Sequence, residues 1–193
     1  MTPPLGEAVP SRGNRLSRAA GRATLALLGW RFEGHVPNVP RAVVIVAPHT
    51  SNWDFVVGIA AMLALGLDAR WIGKDTLFRP PFGPLLRWLG GTPVDRDAPE
   101  GVVEEVVRRL QRADRLFLAL SPEGTRRKVE RWKTGFHRIA RHAGVPIWPV
   151  AFDYRRKAVV LMPPFMPTDD LEADVRSLRA SFSGDMARHP DQF

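Results

Sequence analysis

Val43-Val44-Ile45-Val46-Ala47-Pro48-His49-Thr50-Ser51-Asn52-Trp53-Asp54-Phe55 is the stretch on which the reading of this chain turns. Four consecutive β-branched residues suit a strand buried on both faces, and Pro48, which lacks an amide hydrogen, ends it. Four polar residues follow, and then a mostly apolar run that suits a helix over 53–65. A buried strand feeding a helix through a short polar loop is the building unit of α/β proteins.

His49 and Asp54 sit in and just beyond that loop. Five residues along one continuous helix is about 500°, which would set the two side chains about 140° apart around the axis. If the helix starts near Asn52 or Trp53, however, His49 lies in the loop and Asp54 in the first turn, where the chain can fold one toward the other. Asp54 would then also lie at the positive end of the helix dipole. An imidazole whose other nitrogen faces a carboxylate is suited to take a proton from an alcohol. Read alone, a His and an Asp at this spacing more commonly mark a helix cap or a solvated loop.

Further elements alternate along the chain. Residues 1–13, rich in Pro and Gly, are expected to be loose, and 14–29 to form a basic amphipathic helix. Strands are expected at 69–72, 92–94, 116–120, 146–152 and 159–162. Pro80 and Pro81 are expected to open a short helix ending near Gly90 and Gly91. The apolar positions Val102, Val103, Val106, Val107 and Leu110 give 98–112 a helical period. Further helices are expected over 132–142 and after Thr168-Asp169-Asp170. The fold class is therefore α/β, a single mixed sheet flanked by helices, with a basic N-terminal segment (1–30) ahead of the main domain (31–193).

Composition narrows the function. The 193 residues hold 28 Lys and Arg against 20 Asp and Glu, a formal charge of +8, and only four of the cations are Lys. Guanidinium pairs well with phosphate, so an anionic partner is expected. Nucleic acid is not, because the chain shows no zinc spacing, no RNP-like aromatic strand and no basic helix leading into a zipper. The absence of cysteine excludes thiol catalysis and disulfides. No segment reaches the roughly 20 apolar residues of a membrane span, and the short apolar stretch after Arg22 is followed by no small-residue cleavage site. No bound cofactor or metal is expected.

Four blocks, in order, carry a resemblance. His49-Thr50-Ser51-Asn52-Trp53-Asp54 resembles the H-x4-D motif of the glycerolipid acyltransferase superfamily, which includes the bacterial lysophosphatidic acid acyltransferases. Gly91-Thr92-Pro93-Val94-Asp95-Arg96 is similar to that family's second block, Ser121-Pro122-Glu123-Gly124-Thr125-Arg126 to its third and Val145-Pro146-Ile147-Trp148-Pro149-Val150 to its fourth. The likeness spans roughly residues 40 to 155.

The resemblance implies the family's mixed α/β fold, with the first and third blocks facing each other. It also implies O-acyl transfer from acyl-CoA or acyl carrier protein, as co-substrate, to a lysophospholipid or related glycerophosphate acceptor. His49 would be the general base and Asp54 its orienter. Arg96, Glu123, Gly124, Thr125 and Arg126 would form the phosphate subsite, with Glu123 organising the arginines and Lys74 adding charge to the rim. Transfer to a non-glycerophosphate lysolipid, or thioester hydrolysis by the same His–Asp pair, remains open at this point.

Burying about 16 acyl carbons is worth about 12 kcal/mol, so such a substrate stays in the membrane. The expected place is therefore cytoplasmic, peripheral on the inner face of an anionic membrane. Arg15, Arg18 and Arg22, each worth about 1 kcal/mol there, with Leu25, Leu27, Leu28 and Trp30, are the expected contacts.

Overall fold

Apolar runs become the buried strands of one sheet. The computed structural model describes residues 1–94 and 101–193. Among them the strands are β1 (Arg31–Gly34), β2 (Arg41–Val46), β3 (Ala69–Lys74), β4 (Gly91–Val94), β5 (Leu116–Leu120), β6 (Ile147–Asp153) and β7 (Ala158–Leu161). They lie in the order β1-β7-β6-β2-β5-β3-β4. Every pairing is parallel except β6 with β7, which are joined by a short turn. The sheet is thus mixed, and its centre is the buried β6-β2-β5 trio.

Side chains alternate between two cores, as the two-residue period of a strand requires. On one face Val44, Phe117, Trp148 and Phe152 pack with helices α1 (Arg15–Leu27) and α2 (Trp53–Leu65). On the other Val43, Ile45, Ile147 and Ala151 pack with α4 (Val102–Arg112), α5 (Gly135–Ala143) and α6 (Leu171–Ala180). A short helix α3 (Gly83–Trp88) follows a 3-10 turn at Asp75–Phe78. Because β2, β5 and β3 run parallel as neighbours, the loops that follow them leave from one edge of the sheet. That edge carries the candidate site.

Several local expectations need correction. Residues 9–12 are pinned rather than loose: Val9 is buried, the Arg12 amide donates to the Gly66 carbonyl (2.9 Å) and the Asp68 amide to that of Pro10 (3.0 Å). The helix expected from 132 begins only at Gly135, because the Lys133 amide donates to the Pro122 carbonyl (2.8 Å) and holds 132–134 in a loop. The helix expected from Pro80 begins at Gly83. Strand β1 was not anticipated, being four residues of which only Phe32 is a large apolar side chain. The start of the 98–112 helix lies outside the described residues, which show it from Val102 to Arg112.

The helix α1 forms as expected, capped by a reciprocal Asn14–Ser17 pair. Its orientation corrects the expected membrane contacts. Leu25 and Trp30 are buried in the core beneath α2, so of the four apolar residues only Leu27 is fully outward, and Arg18 is partly buried. The amphipathic stripe is spent on the domain itself.

Candidate active site

β2 ends at Val46, and Pro48 opens a loop that closes at the first turn of α2, where Asp54 stands. The turn brings His49 Nδ1 to 3.0 Å from Asp54 Oδ2. The Asp54 side chain is 1% exposed and that of His49 30%, so the pair is anchored at the carboxylate and open at the ring. Asp54 Oδ2 also accepts the amides of Thr50 (3.0 Å) and Ser51 (2.9 Å), and Oδ1 accepts the Tyr154 hydroxyl (2.6 Å). A buried carboxylate needs such donors to replace water, and here both oxygens are supplied.

Glu123, at the exit of β5, faces the same loop. Both of its oxygens accept the His49 backbone amide, each at 3.1 Å. The Glu123 side chain reaches sideways to the adjacent strand exit, and Arg126 is turned out to the surface. Burial pushes the Glu123 carboxyl up to about 7, against the lowering effect of the His49 amide. Gly124 adopts φ +66, the left-handed turn that lets the loop reverse beside the Lys133 side chain.

Of the other expected residues, Thr125 is partly exposed and Arg126 exposed on this loop, and Lys74 is exposed at the end of β3 on the same edge. Arg96 lies outside the described residues. His49, Asp54, Glu123 and the 124–126 loop therefore gather at one edge of the sheet, as the first and third blocks were expected to.

Sequence reasoning missed five participants. Tyr154, the one tyrosine of the chain, follows β6 and lies 100 positions from the carboxylate it bonds. Burial, and then the hydrogen bond to Asp54, raise its pKa above the ordinary phenol, so it stays a donor. Trp30 meets its ring edge-on at 4.9 Å. Residues 186–193 cross the loop: the His189 amide donates to Thr50 Oγ1 (3.2 Å), and Gln192, its amide nitrogen turned inward, reaches the carbonyls of Arg126 (2.7 Å) and Thr50 (3.2 Å). Arg188 stacks over Trp53, 5.2 Å from the ring centre. Nothing local in the sequence marks these residues, since strand order and chain return bring them in.

A second His–Asp pair, His137 Nε2 and Asp174 Oδ2 at 2.8 Å, ties α5 to α6. Both members are buried, and Asp174, which also accepts from Thr168, is held below the usual carboxylate range despite its burial. With neither ring nitrogen open to solvent, this pair is structural. Among the described residues no cluster of His, Cys, Asp or Glu is arranged to hold a metal ion.

Fold and geometry define a class: a mixed α/β sheet whose central strand delivers a carboxylate-braced histidine beside a basic loop. The acyltransferase family model matches residues 31–153, and the chain belongs to that family. Over 150 residues it is 29% identical to the 1-acyl-sn-glycerol-3-phosphate acyltransferase of Streptococcus pneumoniae (strain ATCC BAA-255 / R6), an alignment covering 72% of this chain and 55% of the relative. The chain thus spans about half the length of that protein. Its fold is shared with the crystal structure of the 1-acyl-sn-glycerophosphate (LPA) acyltransferase PlsC from Thermotoga maritima, with a TM-score of 0.61, 21% identity, and coverage of 86% of this chain and 78% of that one. The family match ends one residue before Tyr154, so Tyr154 and the 186–193 segment stand outside it.

Proposed function

We propose that the chain transfers a fatty acyl group from a thioester donor, acyl-CoA or acyl carrier protein, to the hydroxyl of a lysophospholipid or related glycerophosphate acceptor, in phospholipid biosynthesis or remodelling. The observation that carries this reading is the 3.0 Å contact between the half-open His49 ring and the buried Asp54 carboxylate. With Nδ1–H donated to Asp54, the Nε2 lone pair points to the site. Nε2 takes the acceptor's hydroxyl proton as the oxygen attacks the thioester carbonyl. The C–S bond then breaks, the new ester remains, and the proton on Nε2 passes to the departing thiolate.

Asp54 stabilises the transient imidazolium, and Tyr154, Thr50 and Ser51 keep the carboxylate from turning. Such a base contributes roughly 10²- to 10⁴-fold. The acceptor's phosphate is assigned to Arg126 and Arg96, with Gly124 and Thr125 lining the approach and Lys74 on the rim. The family and the named relative support a glycerophosphate acceptor. Among the described residues no helix is long and apolar enough to cross a membrane, and we place the enzyme in the cytoplasm, peripheral on the inner face of the membrane.

The test is direct. Radiolabelled acyl-CoA or acyl carrier protein is offered with a panel of lysolipids to the wild type, to His49→Ala and to Arg126→Ala. The wild type is expected to label a glycerophosphate acceptor, His49→Ala to lose at least about 10²-fold in kcat, and Arg126→Ala to raise the acceptor KM with little change in kcat. No transfer by the wild type, or full activity in His49→Ala, refutes the mechanism.

A further inference from the structure

Apolar side chains are exposed unevenly on this molecule. Among the described residues eleven large ones are exposed, and six of these are Trp53 and Phe55 on the first turn of α2 and Leu77, Phe82, Leu85 and Trp88 between β3 and β4. Phe82 and Trp88 are 68% and 66% exposed. Singly such residues need no explanation, but a contiguous group marks an interaction surface.

Contiguity comes from a run of rings. Phe55 meets Trp71 at 5.0 Å, and Trp71 stacks on the buried Phe78 at 5.5 Å, which joins the start of α2 to the 3-10 turn. The 75–89 segment is also held firmly. The Trp71 indole donates to the Leu89 carbonyl (3.0 Å), the Arg87 guanidinium donates to the Phe78 carbonyl (3.1 Å), and a Cβ on Gly83 would strike that same carbonyl oxygen. The outward side chains are thus presented on a braced hairpin. Lys74, Arg79 and Arg87 rim it, against a single carboxylate between 74 and 88, Asp75, which faces Arg79 at 4.0 Å.

Topology sets its position. The segment leaves the end of β3 on the edge from which the His49 loop leaves β2, with Trp53 directly beside Asp54. Because β4 runs parallel to β3 it then crosses back, so that Trp88 reaches the opposite edge, where its carbonyl accepts from Arg12. The part of the surface toward His49 is Trp53, Phe55, Leu77 and Phe82.

We infer that this apolar, cation-rimmed surface, and not the basic helix α1, seats the protein on the interfacial layer of a bilayer containing anionic lipid. The inference rests on the acyl-transfer reading. An acceptor that stays in the membrane must enter the site without crossing water, so the seat belongs on the edge that carries His49. Trp and Phe suit the headgroup boundary, and the rim cations suit an anionic leaflet. A second copy docked on this face would instead crowd the mouth of the site.

The test uses the full chain with vesicles of phosphatidylcholine and phosphatidylglycerol. Leu77→Asp/Phe82→Asp is compared with the wild type and with Leu16→Asp/Leu27→Asp on α1, all checked for native circular dichroism. The hairpin variant is expected to lose about tenfold or more in vesicle partition and in turnover of a vesicle-embedded acceptor, the α1 variant less than about twofold. Turnover of a monomeric short-chain acceptor, which reads the acyl-transfer assignment by itself, is expected to stay within about twofold in both. Should the hairpin variant misfold, the conservative Trp53→Phe keeps the question open to decision, since it is expected to remove part of the tryptophan quenching caused by brominated lipid. Unchanged partition of the hairpin variant, quenching that ignores Trp53, or a self-association that the variant abolishes would each overturn the membrane seat. Absence of turnover on both acceptors with partition still dependent on the hairpin would overturn the reaction and leave the surface.

Discussion

Asp54 takes four donors on two oxygens: two backbone amides, the His49 ring and the Tyr154 hydroxyl. The amides come from its own loop and fix the carboxylate locally, whereas among the described residues Tyr154 alone holds Oδ1, from across the sheet. Removing that hydroxyl leaves a buried oxygen unpaired and lets the carboxylate rotate away from the ring. Tyr154→Phe is therefore expected to lower kcat roughly ten- to hundredfold, through mispositioning, with KM nearly unchanged. Steady-state kinetics with a parallel melting curve checks this, and an unaltered kcat removes Tyr154 from the mechanism. The His49–Asp54 half of this cluster is legible in sequence because strand end, loop and helix start are all local. Tyr154 is not, because only the β2–β6 pairing brings it near.

α1 shows how one helical pattern serves two ends. Its basic and apolar stripes suit a membrane surface as well as a domain, and the choice is made by Gly21. A Cβ at that position would lie 2.4 Å from the Ala64 amide nitrogen and 2.7 Å from the Ala60 carbonyl oxygen of α2, so the two helices touch backbone to backbone. Alanine forms helix better than glycine by about 1 kcal/mol, so an unseated helix would be stabilised by Gly21→Ala. Seated as it is, the helix is expected to clash, and the variant to lose about 1–3 kcal/mol in urea unfolding. A gain in stability would show that α1 does not rest on α2. The 75–89 segment, with Pro80, Pro81 and Pro84, has the converse history. Its sequence has no period, so the outward placing of Phe82 and Trp88 emerges only when Phe78 and Trp71 fill the space beneath.

Glu123 links the exits of the two central strands, and its protonation is read in the stability of the whole molecule. Burial raises its carboxyl from 4.5 to about 7, so the ionised form is the disfavoured one in the folded state. Its contribution is therefore full below about pH 4.5 and lost as the pH rises through about 7, amounting to at most ~3 kcal/mol. Asp153 and Asp174, both lowered despite burial, act in the opposite sense, and their loss belongs to the acid limb. Glu123→Gln keeps an acceptor for the His49 amide and cannot ionise, so urea midpoints are expected to fall between pH 5 and 8 in the wild type and to flatten in the variant. Parallel slopes would contradict the assignment.

At this scale the division of information is clear. The sequence by itself determined the α/β alternation, the helix start that turns Asp54 toward His49, and the four blocks that mark an acyltransferase, because each depends on contacts within a few residues or on apolar period. Tertiary structure alone decided that Tyr154 braces Asp54, that Glu123 holds a backbone amide, that Leu25 and Trp30 are core, and that the start of an exposed apolar segment lies on the edge of the candidate base. Each of these rests on which strand lies beside which, and strand order is set by packing across the whole chain.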